Sequence, residues 1–341
     1  MLWKELSHSE LKILLAIPSS QSYSDISKSI GLSLSYVSEK VKRLAKVARF
    51  RYWVDYRALG LSAAYLLTSY DPRLYEVLSA QRVPYVRSVA RVWDREGEKL
   101  LIEVNTPLGF ERVFAQVLSP APTLVWVKAH EAKFTPTAGT LLRFEGGTLR
   151  AEWDRLPERT ARGVPSSGSR MLGFLRNIDE LDLLILREKE EFCFASLSEI
   201  GRTHRISQQL VSYHYRLHLK GSWRSNCVEH KVLVNPVLYK LEAAEPLIAR
   251  KLLEVLSEVP SLVDAFIPEG EEETVVLLID ESLEGLAAMH KAFLRVDGVR
   301  RAELLAYIDV ETFAYKGFTA HLGFSRGRWI FENIEEILKY N

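Results

Sequence analysis

Two stretches of this 341-residue chain read as one short sequence written twice. SDISKSIGLSLSYVSEKVKRLAK in the first half parallels SEIGRTHRISQQLVSYHYRLHLKG in the second. Ile26 matches Ile200, Leu32 matches Ile206, Ser33 matches Ser207 and Val37 matches Val211, all at one constant offset. A repeat this long is no solenoid unit, whose period is a few tens of residues. It predicts a duplicated multi-domain half, so any fold assigned to one half must also suit the other.

The first half opens with helices. Ser7-His8-Ser9-Glu10 has the S-x-x-E form of a capping box, in which two side chains satisfy free N–H groups at a helix start. Leu11, Leu14 and Leu15 recur at helical spacing and Pro18 ends the run. Ser22 to Asp25 opens a second helix with Ile26 and Ile30 inward and Gly31 as its stop. Ser33 is the expected N-cap of a third, with Leu34, Val37, Val41 and Leu44 on its inner face. The basic-aromatic run RFRYW then predicts a two-stranded wing. After Gly60, LSAAYLLTSY, LYEVLSA, YVRSVARVW, KLLIEV, FERVFAQVL and TLVWVKA follow in the order β-α-β-β-α-β, the ferredoxin-like pattern. A hairpin around Gly146-Gly147 comes next, and RLPERTARGVPSSGSR reads as a linker because it has no periodic apolar face.

The second half repeats this order. NIDELDLLILREKE places Ile178, Leu181, Leu184 and Ile185 on a helix like the first, and Ser196 to Glu199 repeats the cap. The register of its third helix is open after Val211. Either Tyr215 and His218 continue the inner face, or a one-residue shift buries Leu210, His214 and Leu217. LLEVLSEVP, a strand pair around PEGEEE, GLAAMHKAFLRV and AELLAYI return the αβ pattern. Phe324, Gly327, Trp329 and Glu332 take the places of Phe144, Gly147, Leu149 and Glu152 in a second hairpin. The expected class is α+β: a tandem duplication of a winged helix-turn-helix followed by a ferredoxin-like βαββαβ domain. The expected boundaries are 1–56 and 57–135 for the first pair, 136–176 for a hairpin and linker, 177–236 and 237–313 for the second pair, and 314–341 for a C-terminal hairpin and helix.

The net charge of +1 hides an uneven distribution. Residues 1–60 hold twice as many Lys and Arg as Asp and Glu, whereas Glu269, Glu271, Glu272, Glu273, Asp280, Glu281 and Glu284 cluster later. Basic charge therefore coincides with the first helix-turn-helix pattern. No apolar run reaches the roughly 18 to 20 residues needed to span a bilayer, and MLWKELSHSE has no apolar signal core. Cys193 and Cys227 are too few for a disulfide framework, so a cytoplasmic chain without membrane contact is expected. Cys193, between Phe192 and Phe194, reads as core.

A basic, hydroxyl-bearing third helix is the element that enters a major groove of double-stranded DNA. Ser33, Ser35, Tyr36 and Ser38 lie near its start, and Lys40, Lys42, Arg43, Arg49 and Arg51 would hold phosphates. In the second copy Gln208 and Gln209 suit bidentate reading of adenine, beside Ser207, Ser212 and Tyr213. Arg202, Arg205, Arg216, Lys220 and Arg224 would contact the DNA backbone. The two helices differ in their exposed residues, which predicts an asymmetric site for one chain. A homodimer or an intramolecular pseudo-dimer would pair the reading heads. His214 and His218 lie one helical turn apart with Cys227 and His230 downstream, a spacing compatible with metal ligation. They are read here as groove-facing or half-buried residues. No metal, cofactor or catalytic residue is expected, and the chain is expected not to be an enzyme.

IDELDLLIL, the S-x-x-x-V helix ending in KRL, and VDYRALGL followed by a strand resemble the archaeal and bacterial leucine-responsive regulators (Lrp/AsnC) over about residues 1–135 and 177–313. The resemblance implies a sequence-specific DNA-binding transcription regulator whose βαββαβ sheets pair. The turns DREGEK and PEGEEE match that family's Gly-acid effector pattern only in part, so no effector site is carried over. Siroheme decarboxylases resemble the same tandem architecture, and some are fused pairs. They hold the tetrapyrrole with His and Arg residues around a Y-N-x-W-F-like strand. KLLIEV and TVVLLI lack that pattern and YVRSVARVW has no His, so the decarboxylase reading stands as an alternative, beside a protein-interaction scaffold.

Overall fold

Helix boundaries fall where side chains can close the backbone. In the computed structural model, which describes residues 3–80, 82–119, 121, 123–136, 141–163 and 178–331, Ser7 and Glu10 form the full capping box of α1 (His8–Ala16). Helix α2 (Tyr23–Ile30) ends on Gly31 at φ 69°, a left-handed conformation that side chains with a Cβ resist by about 1 kcal/mol. Ser33 Oγ accepts from Tyr36 N at 3.3 Å to open α3 (Leu34–Leu44), and β1 (Ala48–Val54) follows. The first βαββαβ run is β2 (Leu61–Ser69), α4 (Pro72–Ala80), β3 (Val86–Asp94), β4 (Gly97–Pro107), α5 (Glu111–Leu118) and β5 (Leu124–Ala132). The hairpin β6 (Leu142–Glu145) and β7 (Thr148–Ala151) and a short helix α6 (Leu156–Arg162) come next.

The second half repeats the plan with α7 (Glu180–Glu191), α8 (Leu197–His204), α9 (Gln208–His214) and β8 (Trp223–His230). Its βαββαβ run is β9 (Pro236–Ala243), α10 (Pro246–Leu256), β10 (Leu262–Pro268), β11 (Thr274–Asp280), α11 (Leu283–Phe293) and β12 (Val299–Ile308). A short strand β13 (Ala314–Tyr315) and the hairpin β14 (Phe324–Ser325) and β15 (Arg328–Trp329) close the described chain. The strand orders β5-β2-β4-β3 and β12-β9-β11-β10 are the same antiparallel arrangement twice. The expected α+β class holds. Strand β11 is buried at every position, as its unbroken apolar run requires, and each such aliphatic side chain contributes about 1.5–3 kcal/mol. No helix among the described residues is long and apolar enough to cross a membrane.

The chain divides into two compact units that do not follow its order. One comprises Met1–Arg51, Ala129–Ser169 and Ser225–Val310; the other comprises Tyr52–Lys128, Arg170–Arg224 and Glu311–Asn341. Each helix-turn-helix therefore packs in one unit with the βαββαβ segment of the opposite half. In the first unit Trp3 Nε1 donates to Pro260 O and Asn226 Nδ2 to Ile17 O, both at 3.1 Å. In the second, Tyr56 Oη donates to Glu190 of α7 at 2.6 Å.

Several local expectations change. Leu34 is 53% exposed, so the inner face of α3 is Val37, Val41 and Leu44 alone. In α7 the buried apolar residues are Leu183, Ile185 and Leu186, while Ile178, Leu181 and Leu184 are only half-buried. Asp182, Lys189 and Glu190 share that buried side, which apolar periodicity cannot flag. The partner of β1 is β8 and not a neighbouring wing strand; in the first unit Val47 O accepts from Lys231 N at 3.1 Å. Part of the expected linker is α6, because Leu156 and Thr160 stand one turn apart and buried, with Pro157 in the first turn. The rest of that linker, Glu332 and the expected C-terminal helix lie outside the described residues.

Candidate functional site

The two helix-turn-helix copies present different surfaces. On α3 and around it Ser33, Ser35, Tyr36, Lys42 and Arg43 are exposed, and Ser38, Lys40 and Arg49 are half-buried. Ser33 is spent in part as the N-cap. Tyr36 Oη shares a 2.9 Å hydrogen bond with Ser9 Oγ, and Lys40 Nζ lies 5.3 Å over the Tyr36 ring. Arg51 is the exception to the phosphate reading. Its guanidinium is buried and donates to Glu229 Oε1 at 2.6 Å, so no DNA phosphate can reach it. Lys133, 3.4 Å from buried Asp264 and 3.9 Å from Glu229, continues this internal network.

In the second copy Arg202, Arg205, Ser207, Gln208, Gln209, Arg216 and Lys220 are exposed and Ser212 is half-buried. Ser207 Oγ accepts from Leu210 N as the N-cap. Arg224 is drawn to Asp55 at 3.0 Å and lies over the Trp53 ring, so its charge is already compensated. The open register resolves. Val211, His214 and Leu219 are buried and Tyr215 and His218 half-buried, while Leu210, Tyr213 and Leu217 are in the open. A π-helical turn over Tyr215–Leu219 follows His214, and its i→i+5 bonding puts more residues into the turn than an α-helix holds. The outward side of this helix consequently carries Leu210, Tyr213 and Leu217 as an apolar stripe, with exposed Arg216 and Lys220 on the same turns and exposed Arg205 just before the helix.

Beneath it lies the buried carboxylate of Asp182, in the first turn of α7. His214 Nδ1 stands 3.0 Å from Asp182 Oδ1 and His218 Nδ1 2.8 Å from Oδ2, which also accepts from Asp179 N at 3.0 Å. Of the histidine and cysteine set marked by spacing, the structure brings His214 and His218 together; Cys227 and His230 belong to the other unit. Asp182 was not anticipated, although the D-E-L-D form of its own capping box was available in the sequence.

The second unit also holds a buried charge network that sequence reasoning did not find. Arg87 Nη1 donates to Glu190 Oε2 at 3.1 Å and to the Tyr56 hydroxyl. Lys128 Nζ donates to Glu103 Oε1 at 3.0 Å while lying 4.4 Å over the Tyr65 ring. Arg87 Nε lies 3.8 Å from Glu103 Oε1 and joins the two pairs, while Nε and Nη2 of this buried guanidinium have no hydrogen-bond partner. In the first unit a cleft of about 250 Å³ is lined by Trp3, Trp153, Asp280, Glu281 and Glu284. Arg150 lines it too, so it carries three carboxylates against one cation.

No protein-family model and no curated protein sequence matches the chain. Among solved structures, the siroheme decarboxylase NirDL aligns over 97% of this chain and 97% of its own, at 14% identity and a TM-score of 0.50. The same enzyme in complex with an iron-uroporphyrin III analogue aligns over the same shares at 11% identity and a TM-score of 0.50. An AsnC-family regulatory protein of Pyrococcus furiosus aligns over 38% of this chain and 88% of its own, at 15% identity and a TM-score of 0.26. The fold that runs through nearly the whole chain is thus similar to that of NirDL. This overturns the expectation of a non-enzyme, because the fold that spans the whole chain is one found in an enzyme.

Proposed function

We propose that the chain is a decarboxylase acting on a carboxylate-bearing tetrapyrrole of the siroheme class. The observation that carries this reading is the correspondence of fold over 97% of both chains with a siroheme decarboxylase. In such a reaction the bond between a side-chain carbon and its carboxylate breaks and CO2 leaves. A proton then takes the vacated place on that carbon, so no oxidant or reductant is consumed. The protein must hold carboxylates, cover an apolar ring and deliver a proton.

The outward side of α9 and the turn after it supports the first two tasks. Leu210, Tyr213 and Leu217 are exposed there, which is unusual for a helix meant to face phosphates and suited to a flat apolar macrocycle. Exposed Arg205, Arg216 and Lys220, near it along the chain, carry the charge that propionate and acetate groups need. The test is an anaerobic titration of the full chain with siroheme, followed by mass analysis of the extracted tetrapyrrole. A shifted absorbance band and a product lighter by whole units of CO2 are expected. An unshifted spectrum together with unaltered siroheme would end this reading.

Duplex DNA binding is a second reading, favoured by the exposure of Ser35, Lys42, Arg43, Gln208 and Gln209. It predicts binding that weakens steeply with salt, in proportion to the phosphates neutralised. Retention on a specific duplex without any siroheme response would favour it.

A further inference from the structure

The two helix-turn-helix copies bury a carboxylate at the same point of their first helix and compensate it differently. In the first copy Glu10, fully buried, is the third residue of the capping box of α1. Arg43, from the end of α3, brings its Nε to 3.2 Å from Glu10 Oε1. A permanent cation on the recognition helix thus neutralises a buried anion, as burial of a carboxylate demands.

In the second copy Asp182 is the third residue of the capping box of α7 and is fully buried as well. No Lys or Arg among the described residues pairs with it. The recognition helix supplies His214 and His218, both directed by Nδ1 at its two oxygens. Neutral imidazoles are good metal ligands but leave the carboxylate charge uncompensated.

We propose that Asp182, His214 and His218 form a binding site for a divalent transition-metal ion of the zinc class. One ligand atom from each residue lies within 4.8 Å of the other two. His214 Nδ1 and His218 Nδ1 stand 3.0 and 2.8 Å from different oxygens of Asp182, each a few tenths short of the roughly 3.3 Å between ligand atoms around a tetrahedral ion with bonds of about 2.0 Å. Two imidazoles and one carboxylate suit zinc or cobalt rather than calcium or magnesium, which take oxygen. Asp179, whose Oδ1 is 3.5 Å from His214 Nδ1 and which is partly exposed, stands beside the site as a fourth donor. The ion supplies the positive charge that Arg43 supplies in the first copy, and ties α7 to the recognition helix. His214 and His218, four residues apart, stand on one side of the helix across the start of the π-helical turn Tyr215–Leu219.

The experiment is cobalt titration of the full chain after chelator treatment and dialysis, with no tetrapyrrole present, so its failure leaves the decarboxylase reading untouched. One equivalent of Co²⁺ per chain, visible absorption of tetrahedral strength and a higher melting temperature are expected. His214→Ala and His218→Ala are each expected to weaken uptake at least tenfold, while His8→Ala, outside the site, leaves it unchanged. Folded wild-type chain that takes up no Co²⁺ would overturn the proposal without any variant. Uptake that survives both histidine substitutions would overturn it equally.

Discussion

The Arg51 guanidinium donates to the Glu229 carboxylate at 2.6 Å, with both side chains almost wholly out of solvent. Burial by itself would raise the Glu229 pKa. The Arg51 and Lys133 charges and the Arg51 hydrogen bond outweigh it and hold the carboxyl below its ordinary value of 4.5. A carboxylate with a lowered folded pKa contributes stability that is present above its unfolded value and lost as pH falls through the folded one. Arg51→Met leaves the anion without its nearest cation and is expected to cost about 3–5 kcal/mol at neutral pH. Urea unfolding at a series of pH values checks this. The deficit should shrink below pH 4.5, where protonation relieves the stranded carboxylate; a deficit independent of pH would contradict the assignment.

Lys189 gives the opposite sign. Burial pushes its pKa down to about 8 from 10.5, although its Nζ donates to Cys193 O at 3.0 Å. The unfolded chain binds the extra proton between those two values, so stability should rise with pH across that window. Below it the protonated lysine is a constant burden of up to about 3 kcal/mol. Lys189→Met loses the bond to Cys193, worth about 1 kcal/mol, yet should melt higher than wild type at pH 7. Its advantage should disappear by about pH 10.5. A variant that melts lower at pH 7 would mean that the hydrogen bond outweighs the burial.

His230 carries the corresponding signature in acid. Burial pushes its pKa down to about 3 from 6.5; its Nε2 has no hydrogen-bond partner, and its ring lies 4.0 Å from that of Trp3. Unfolding therefore takes up a proton between those pH values, and stability should fall as pH drops through them. His230→Phe keeps a ring against Trp3 without a group to charge. Its acid unfolding midpoint, followed by tryptophan fluorescence, should move to lower pH, while an unchanged midpoint would assign the acid transition to other groups.

The architecture was legible because it is written in periodicity and in caps. Ser7, Ser22, Ser33 and Ser196 all cap where their spacing predicts, and both βαββαβ runs follow the alternation of apolar segments. What the pattern could not convey is which ionisable residues are buried. Arg51, Arg87, Asp182, Lys189 and Glu190 look like surface residues in a one-dimensional reading, and their burial depends on partners far along the chain. The pairing of β1 with β8 is of the same kind, since a strand does not name its partner. The register of the second recognition helix was open because the π-helical turn breaks the period on which such readings rest.

The outward side of that helix separates the two functional readings. Leu217 is 62% exposed and Leu210 45% exposed, so neither holds the core together. Replacing both with serine should change stability by no more than about 0.5 kcal/mol. If the stripe covers a tetrapyrrole ring, each leucine contributes about 1–2 kcal/mol on binding, and the double substitution should weaken siroheme affinity by roughly tenfold or more. A helix that reads DNA would respond instead to Gln208 and Gln209, whose amides are the base-reading groups. Absorbance titration of Leu210→Ser/Leu217→Ser and of Gln208→Ala/Gln209→Ala makes the comparison directly. Loss of affinity in the first and not the second places the ring on the stripe, and unchanged affinity in both removes this helix from the substrate site.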